Sequence, residues 1–272
     1  MHLQARRMST IILTAVTLLL LAAGTAYAVP NDVVNHWAQP AIKDLMRQGV
    51  LVGYPDGTFK PDRFVSRAEF ARMCVKAFGL PANGSKTFKD LTTHWAKADV
   101  AALAETGAVD GYPDGTFRPD QPITRAEMVA ALDRLLKVGA KEQVFGQDWS
   151  QSYPDVPKSH WAFRLVELAR RLDYLPPSYG TSFLPGTVVT RAEAAWMIDR
   201  VEKLGRERGS AVEVDPDTGT ITVLPDSGGD PAAVQVDPDA LVLRNNAAVP
   251  LEQVLTNDKM LALTGSDGLA KV

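Results

Sequence analysis

Apolar residues recur at helical spacing in six stretches that come in pairs. In the first pair Ala41, Ile42 and Leu45 fall on one face of a segment over 37–48, with Pro40 tolerable in the first turn and Gly49 as the stop. Ser66 opens a second amphipathic stretch that runs to about Phe78 and stops at Gly79. The same grammar returns over 96–106 before Gly107, over 125–138 before Gly139, over 162–173, and over 191–204. Within a pair, Val50 to Val52 form a short extended segment and Asp56-Gly57 is a tight-turn signal. From Ser210 the period falls to two. Thr220-Ile221-Thr222-Val223 alternates, and Asp215-Pro216-Asp217-Thr218-Gly219 separates 211–214 from 220–224 as a hairpin loop. Gln235-Val236, 241–243 and 260–264 read as further strand. The pattern predicts a mainly α chain of helix-loop-helix units, followed by a small all-β module resembling an incomplete barrel.

The second helix of each pair begins on a shared tetrapeptide: Ser66-Arg67-Ala68-Glu69, Thr124-Arg125-Ala126-Glu127 and Thr190-Arg191-Ala192-Glu193. Each has the form of a capping box. The hydroxyl of Ser66, Thr124 or Thr190 accepts from the N–H three residues on, and Glu69, Glu127 or Glu193 reaches back to the N–H of the cap. Val65 with Phe70, and Ile123 with Met128, add hydrophobic staples; Val189 faces only Ala194. Capping explains the hydroxyl and the glutamate but not the arginine. A cation in the first turn opposes the helix dipole and costs a few tenths of a kcal/mol, so its repetition points to a task outside its own helix. Two tasks are open: an ion pair or packing between repeats, or capture of a carboxylate by the two-pronged guanidinium.

Each arginine lies a fixed distance after a His-Trp pair: 67 − 36 = 31, 125 − 94 = 31 and 191 − 160 = 31. Between them runs Gly53-Tyr54-Pro55-Asp56-Gly57-Thr58-Phe59, repeated at Gly111 to Phe117 and degraded to Ser178-Tyr179-Gly180-Thr181-Ser182-Phe183 in the third copy. Self-similarity at this period means supersecondary units that bury a core by stacking. The ordered motifs resemble three tandem S-layer homology domains over roughly 31–204. The resemblance implies a pseudo-threefold bundle whose inter-repeat grooves bind a secondary cell-wall polysaccharide, often one bearing pyruvate ketals. It implies sugar-binding roles for Trp37 and Trp95 beside the three motifs. Asp56 and Asp114 join the candidate polysaccharide-binding residues, with Arg67, Arg125, Arg191, Ser66, Thr124, Thr190, Glu69, Glu127 and Glu193.

The expected organisation is a signal at 1–28, repeats at 29–80, 86–139 and 153–205, a linker at 140–152 and the β module at 210–272. Arg6 and Arg7, an apolar run and Ala26-Tyr27-Ala28 suit a cleaved secretory signal, with export starting at Val29. Loss of those two arginines takes the formal charge from −3 to −5, and no basic patch suggests nucleic acid. Cys74, the single cysteine, reads as a buried small hydrophobe. His36, His94 and His160 read as helix caps rather than metal ligands, lacking acidic or thiol partners at ligand spacing. Asp56 and Asp114 with Asp62 and Asp120, and separately Asp215 with Asp217, suit turn chemistry better than calcium. No cofactor and no catalytic motif is expected. The sequence therefore predicts a secreted, non-enzymatic cell-surface protein whose partner is a wall polysaccharide attached to peptidoglycan. No membrane contact is expected after signal cleavage. The alternative is a surface-layer assembly protein working through other surface-layer proteins.

Overall fold

The computed structural model of the chain describes residues 29–136, 149–238, 240, 242–244, 247–264 and 269–271. The expected signal and most of the expected linker lie outside the described residues. Among the described residues there are six α-helices: α1 Gln39–Arg47, α2 Arg67–Ala77, α3 Lys97–Glu105, α4 Arg125–Leu136, α5 Phe163–Arg171 and α6 Arg191–Lys203. The even-numbered ones start on the expected capping boxes. The Ser66 and Thr190 hydroxyls each accept from the glutamate N–H at 3.2 Å, and Glu127 Oε2 accepts the Thr124 N–H at 2.9 Å. The odd-numbered helices start on histidine. Nδ1 of His36, His94 and His160 accepts the N–H of Ala38, Ala96 and Ala162 at 3.2, 3.1 and 3.1 Å. That use requires the other ring nitrogen to carry the proton. Gly49 and Gly107 end α1 and α3 in the left-handed region, at φ 72° and 79°. Asp173 takes that place after α5 at φ 54°.

One core runs through all three repeats. Phe59, Phe117 and Phe183 are fully buried in it, as are Val65, Ile123, Val189 and the thiol of Cys74. Burial pushes that thiol well above its usual range. At the centre three backbone bonds close a ring. Val65 N–H donates to the Val189 carbonyl at 2.9 Å, Val189 N–H to Ile123 at 2.9 Å, and Ile123 N–H to Val65 at 3.1 Å. Buried peptide groups that no helix satisfies thus satisfy one another across repeats.

A second device was not read from the sequence. Asp32, Asp90 and Asp155 each accept two consecutive N–H groups about 28 residues on, namely Phe59 and Lys60, Phe117 and Arg118, and Phe183 and Leu184. Lys60, Arg118 and Leu184 all stand at positive φ, 57°, 58° and 55°. The carboxylate pins a backbone bend that a side chain resists. The available signal was an aspartate four or five residues before each His-Trp pair (36 − 32 = 4, 94 − 90 = 4, 160 − 155 = 5).

The β module starts earlier than alternation suggested. β1, Gly205–Asp215, follows α6 with only Leu204 between them. Its first half pairs with β6, Lys259–Thr264, from Gly205↔Thr264 to Ser210↔Lys259. Its second half pairs with β2, Thr220–Pro225, across an irregularity between Ala211 and Glu213. The polar run Gly-Arg-Glu-Arg-Gly hides the first half from a hydrophobicity reading, and the partner strand makes it a strand. The sheet order is β3-β2-β1-β6, with β3 at Ala232–Gln235; β4, Leu243–Arg244, and β5, Ala247–Ala248, form a separate ribbon. Ala270 bridges both Thr264 and Val236, which curls the sheet toward closure. Leu263 enters the helical core, so the module is packed onto the repeats.

Candidate functional site in a groove between repeats

The motif arginines cross to the next repeat. Arg67 Nε donates to the Phe117 carbonyl at 2.9 Å and Nη2 to Asp110 at 3.3 Å, and Nη1 meets Glu127 Oε1 at 3.3 Å. Its guanidinium lies 4.5 Å from the Phe117 ring centre and 5.3 Å from that of Tyr112. Arg125 repeats the pattern on Phe183 and Glu193, at 2.9 and 2.7 Å, over the ring of Tyr179. Arg191 donates from Nε to Phe59 and from Nη2 to Val52, at 2.9 and 3.1 Å. Glu127 and Glu193 therefore do two tasks: one oxygen caps their own helix and the other takes the arginine of the preceding repeat. The third such pair is missing, because Glu69 Oε1 is held by Arg63 at 2.7 Å. Of the two tasks left open for the arginines, ion pairing and packing between repeats is present in the geometry. Arg67 and Arg191 are buried, so a ligand would meet them at the bottom of a groove and not on a free surface.

A cavity of about 230 Å³ opens on this lattice. Arg67 of the first repeat, Gly111, Glu127, Ala130 and Arg134 of the second, and Trp161 of the third line it. Gly111 is required there, since a Cβ would come within 2.5 Å of the Phe88 ring and 2.7 Å of the Thr116 carbonyl. Arg134 donates to the Ala108 carbonyl at 3.3 Å. Trp161 is 61% exposed, with His160 stacked on it at 5.7 Å. The wall thus offers an indole face, guanidinium donors and a carboxylate, the set that holds a sugar ring and a carboxylate substituent.

Arg67 and Glu127 of the candidate residues lie in this cavity; others stand elsewhere. Ser66, Thr124 and Thr190 are committed to caps. Asp56 and Asp114 hold exposed turns: the Oδ1 of each accepts both the N–H and the hydroxyl of the threonine two residues on, at distances from 2.6 to 3.0 Å. Those bonds, led by the one from the threonine hydroxyl, hold both carboxyls down at about 2. They contribute to turn shape and not to the cavity wall. Trp37 packs on Trp196 at 5.6 Å, and Trp95 lies under Arg72 at 4.3 Å. Sequence reasoning missed Arg134 as a lining residue and left Trp161 out of the binding candidates. Trp161 was visible as the third His-Trp pair. Arg134 sits nine residues after Arg125, as Lys76 does after Arg67 and Arg200 after Arg191.

The model of the S-layer homology domain matches residues 31–71, 87–129 and 152–195. The chain carries three tandem S-layer homology domains. Their matches end at residue 195, so the β module lies outside them. A cellulosome-anchoring protein of Acetivibrio thermocellus is 40% identical over 48% of this chain and 29% of that protein. An S-layer protein of Bacillus licheniformis is 34% identical over 67% of this chain and 20% of its own length. An endoglucanase of a Bacillus species is 31% identical over 60% and 17%. The chain spans under a third of each of these relatives. The similarity therefore covers a minor part of each relative, and an enzyme stands among them beside an anchoring protein and an S-layer protein. No helix among the described residues is long and apolar enough to cross a membrane.

Proposed function

We propose that the protein is secreted and anchors itself without covalent linkage to the bacterial cell wall. It binds a secondary wall polysaccharide in grooves between three pseudo-threefold S-layer homology repeats. The observation that carries this is the cavity in which Arg67, Arg134 and Trp161 converge from three different repeats. The closed ring of backbone bonds at Val65, Ile123 and Val189 supports the threefold arrangement. A pyruvate ketal supplies the carboxylate that such arginines fit, beside a pyranose face on the indole. The chain is acidic overall, so affinity for an anionic polymer comes from local geometry rather than from the bulk field. The reading is non-enzymatic, with the β module displayed outward from the anchor. The test is sedimentation of the mature chain with purified wall polymer, before and after acid removal of ketals. Binding that falls after ketal removal supports the reading. Assembly that proceeds identically without polymer favours a surface-layer role through protein contacts instead.

A further inference from the structure

Among the differences between the three grooves, one falls five residues after each motif arginine: 72 − 67 = 5, 130 − 125 = 5 and 196 − 191 = 5. In the α2–α3 groove it is Arg72, whose guanidinium lies 4.3 Å over the Trp95 ring and is held by Asp99 at 2.9 Å. In the α6–α1 groove it is Trp196, packed on Trp37 at 5.6 Å, fixed by Nε1 to the Leu175 carbonyl at 3.2 Å, and covered by Arg200 at 4.6 Å. In the α4–α5 groove it is Ala130, which lines the same cavity as the indole of the facing His-Trp pair. The exposures follow the same order: Trp161 61%, Trp95 50%, Trp37 36%. The cavity with motif arginine and glutamate in its wall lies in the alanine groove. A separate hollow along α6 is lined by Trp196, Asp199 and Lys203 and has neither motif residue in its wall.

We propose that this position gates each groove and that the chain binds one glycan, in the α4–α5 groove, with the Trp161 indole as the sugar platform. The inference rests on the grooves being glycan sites. A large side chain at the gate occupies the face on which a pyranose would stack; a methyl group leaves it free. The α2–α3 groove shares the same frame, with the difference that Glu69 there pairs with Arg63 and not with the motif arginine. Arg191 is seated on Phe59 and Val52 as Arg67 is on Phe117 and Asp110, and the loop bears the same Gly-Tyr-Pro-Asp-Gly sequence. Truncating Arg72 should therefore create a second site.

The test is titration calorimetry of the mature chain with a monovalent probe, the methyl glycoside of a hexosamine carrying a 4,6-pyruvate ketal. The expected result is one site in the wild type, at least 50-fold weaker binding in Ala130→Trp, and two sites in Arg72→Ala. Melting curves confirm that each variant is folded; if Ala130→Trp fails to fold, the site count in Arg72→Ala decides. Two or three sites in the wild type, unchanged binding in Ala130→Trp, or a single site in Arg72→Ala overturns the gate while leaving wall binding intact. If the wild type binds neither the probe nor purified wall polymer, the glycan reading itself fails and the gate falls with it.

Discussion

Replacing Arg125 with alanine separates local from tertiary reasoning about the shared motif. Local reasoning treats Arg125 as a cation at the wrong end of a helix dipole, so its removal should leave stability unchanged or raise it by a few tenths of a kcal/mol. The structure gives the opposite sign. The Arg125 and Glu193 side chains are 11% and 8% exposed and meet at 2.7 Å, and Nη1 holds the Phe183 carbonyl at 2.9 Å. Deleting one partner of a buried pair costs about 3–5 kcal/mol, because the other charge stays buried. Two features argue for the low end. Glu193 keeps its cap bond to Thr190, and Arg125 Nε is already without a partner. A loss of about 3 kcal/mol is expected, or about 6–12 °C in Tm for a chain of this size. Urea midpoints of Arg125→Ala, Glu193→Gln and the double variant provide the assay. Their coupling energy should exceed about 1 kcal/mol for residues in contact. A midpoint for Arg125→Ala within about 0.5 kcal/mol of wild type, the range of ordinary surface changes, would refute the interlocked reading.

Thr124→Ala should lower stability by about 0.5–2 kcal/mol through loss of its cap, with the wall-polymer affinity of the folded fraction unchanged in a sedimentation assay. Asp133 is fully buried and accepts from the Tyr174 hydroxyl at 2.6 Å on one oxygen, while the other has no partner. Burial raises its carboxyl well above the usual range, so the folded state binds a proton that the unfolded chain has released. That contribution is full below the unfolded value near 4 and is lost as pH rises toward the folded one. Urea midpoints of Asp133→Asn should accordingly gain on wild type between pH 4 and 8, and parallel curves would count against a protonated Asp133. Leu184 is half exposed at φ 55°. Leu184→Gly relieves roughly 1–2 kcal/mol of left-handed strain against about 0.5–1 kcal/mol of backbone entropy, so thermal melts should show unchanged or slightly higher stability.

Much of the helical architecture was legible because it is local. Helix bounds follow from capping boxes, stop glycines and a 3.6-residue period, and the helices end within about two residues of the expected places, except α4, whose expected stop at Gly139 lies outside the described residues. The staples at Val65 and Ile123 are buried as their spacing requires. The β hairpin was legible for the same reason. What escaped is what has no local signature. The arginine partners lie 43 to 139 residues away, and nothing about Ser-Arg-Ala-Glu says which carbonyl it meets. Asp32, Asp90 and Asp155 look like loop residues until the left-handed bends they pin are seen. Gly205 to Ser210 lacks alternation and becomes strand because β6 lies beside it.

The division of the candidate residues between cavity wall and scaffold has the same origin. Repetition marks the residues that hold the repeats together, since a structural interlock must be rebuilt in every copy. A groove wall need not be rebuilt, and here it differs between copies at 72, 130 and 196. Motif reading therefore found the scaffold of the site, Arg67 and Glu127, and included the turn aspartates Asp56 and Asp114, which repeat for reasons of chain direction. It passed over Arg134, which lies outside the motif, and Ala130, which departs from Arg72 and Trp196 at the equivalent positions. In a chain built from near-copies, conserved spacing reports on closure of the bundle, and the places where copies disagree report on which groove is open.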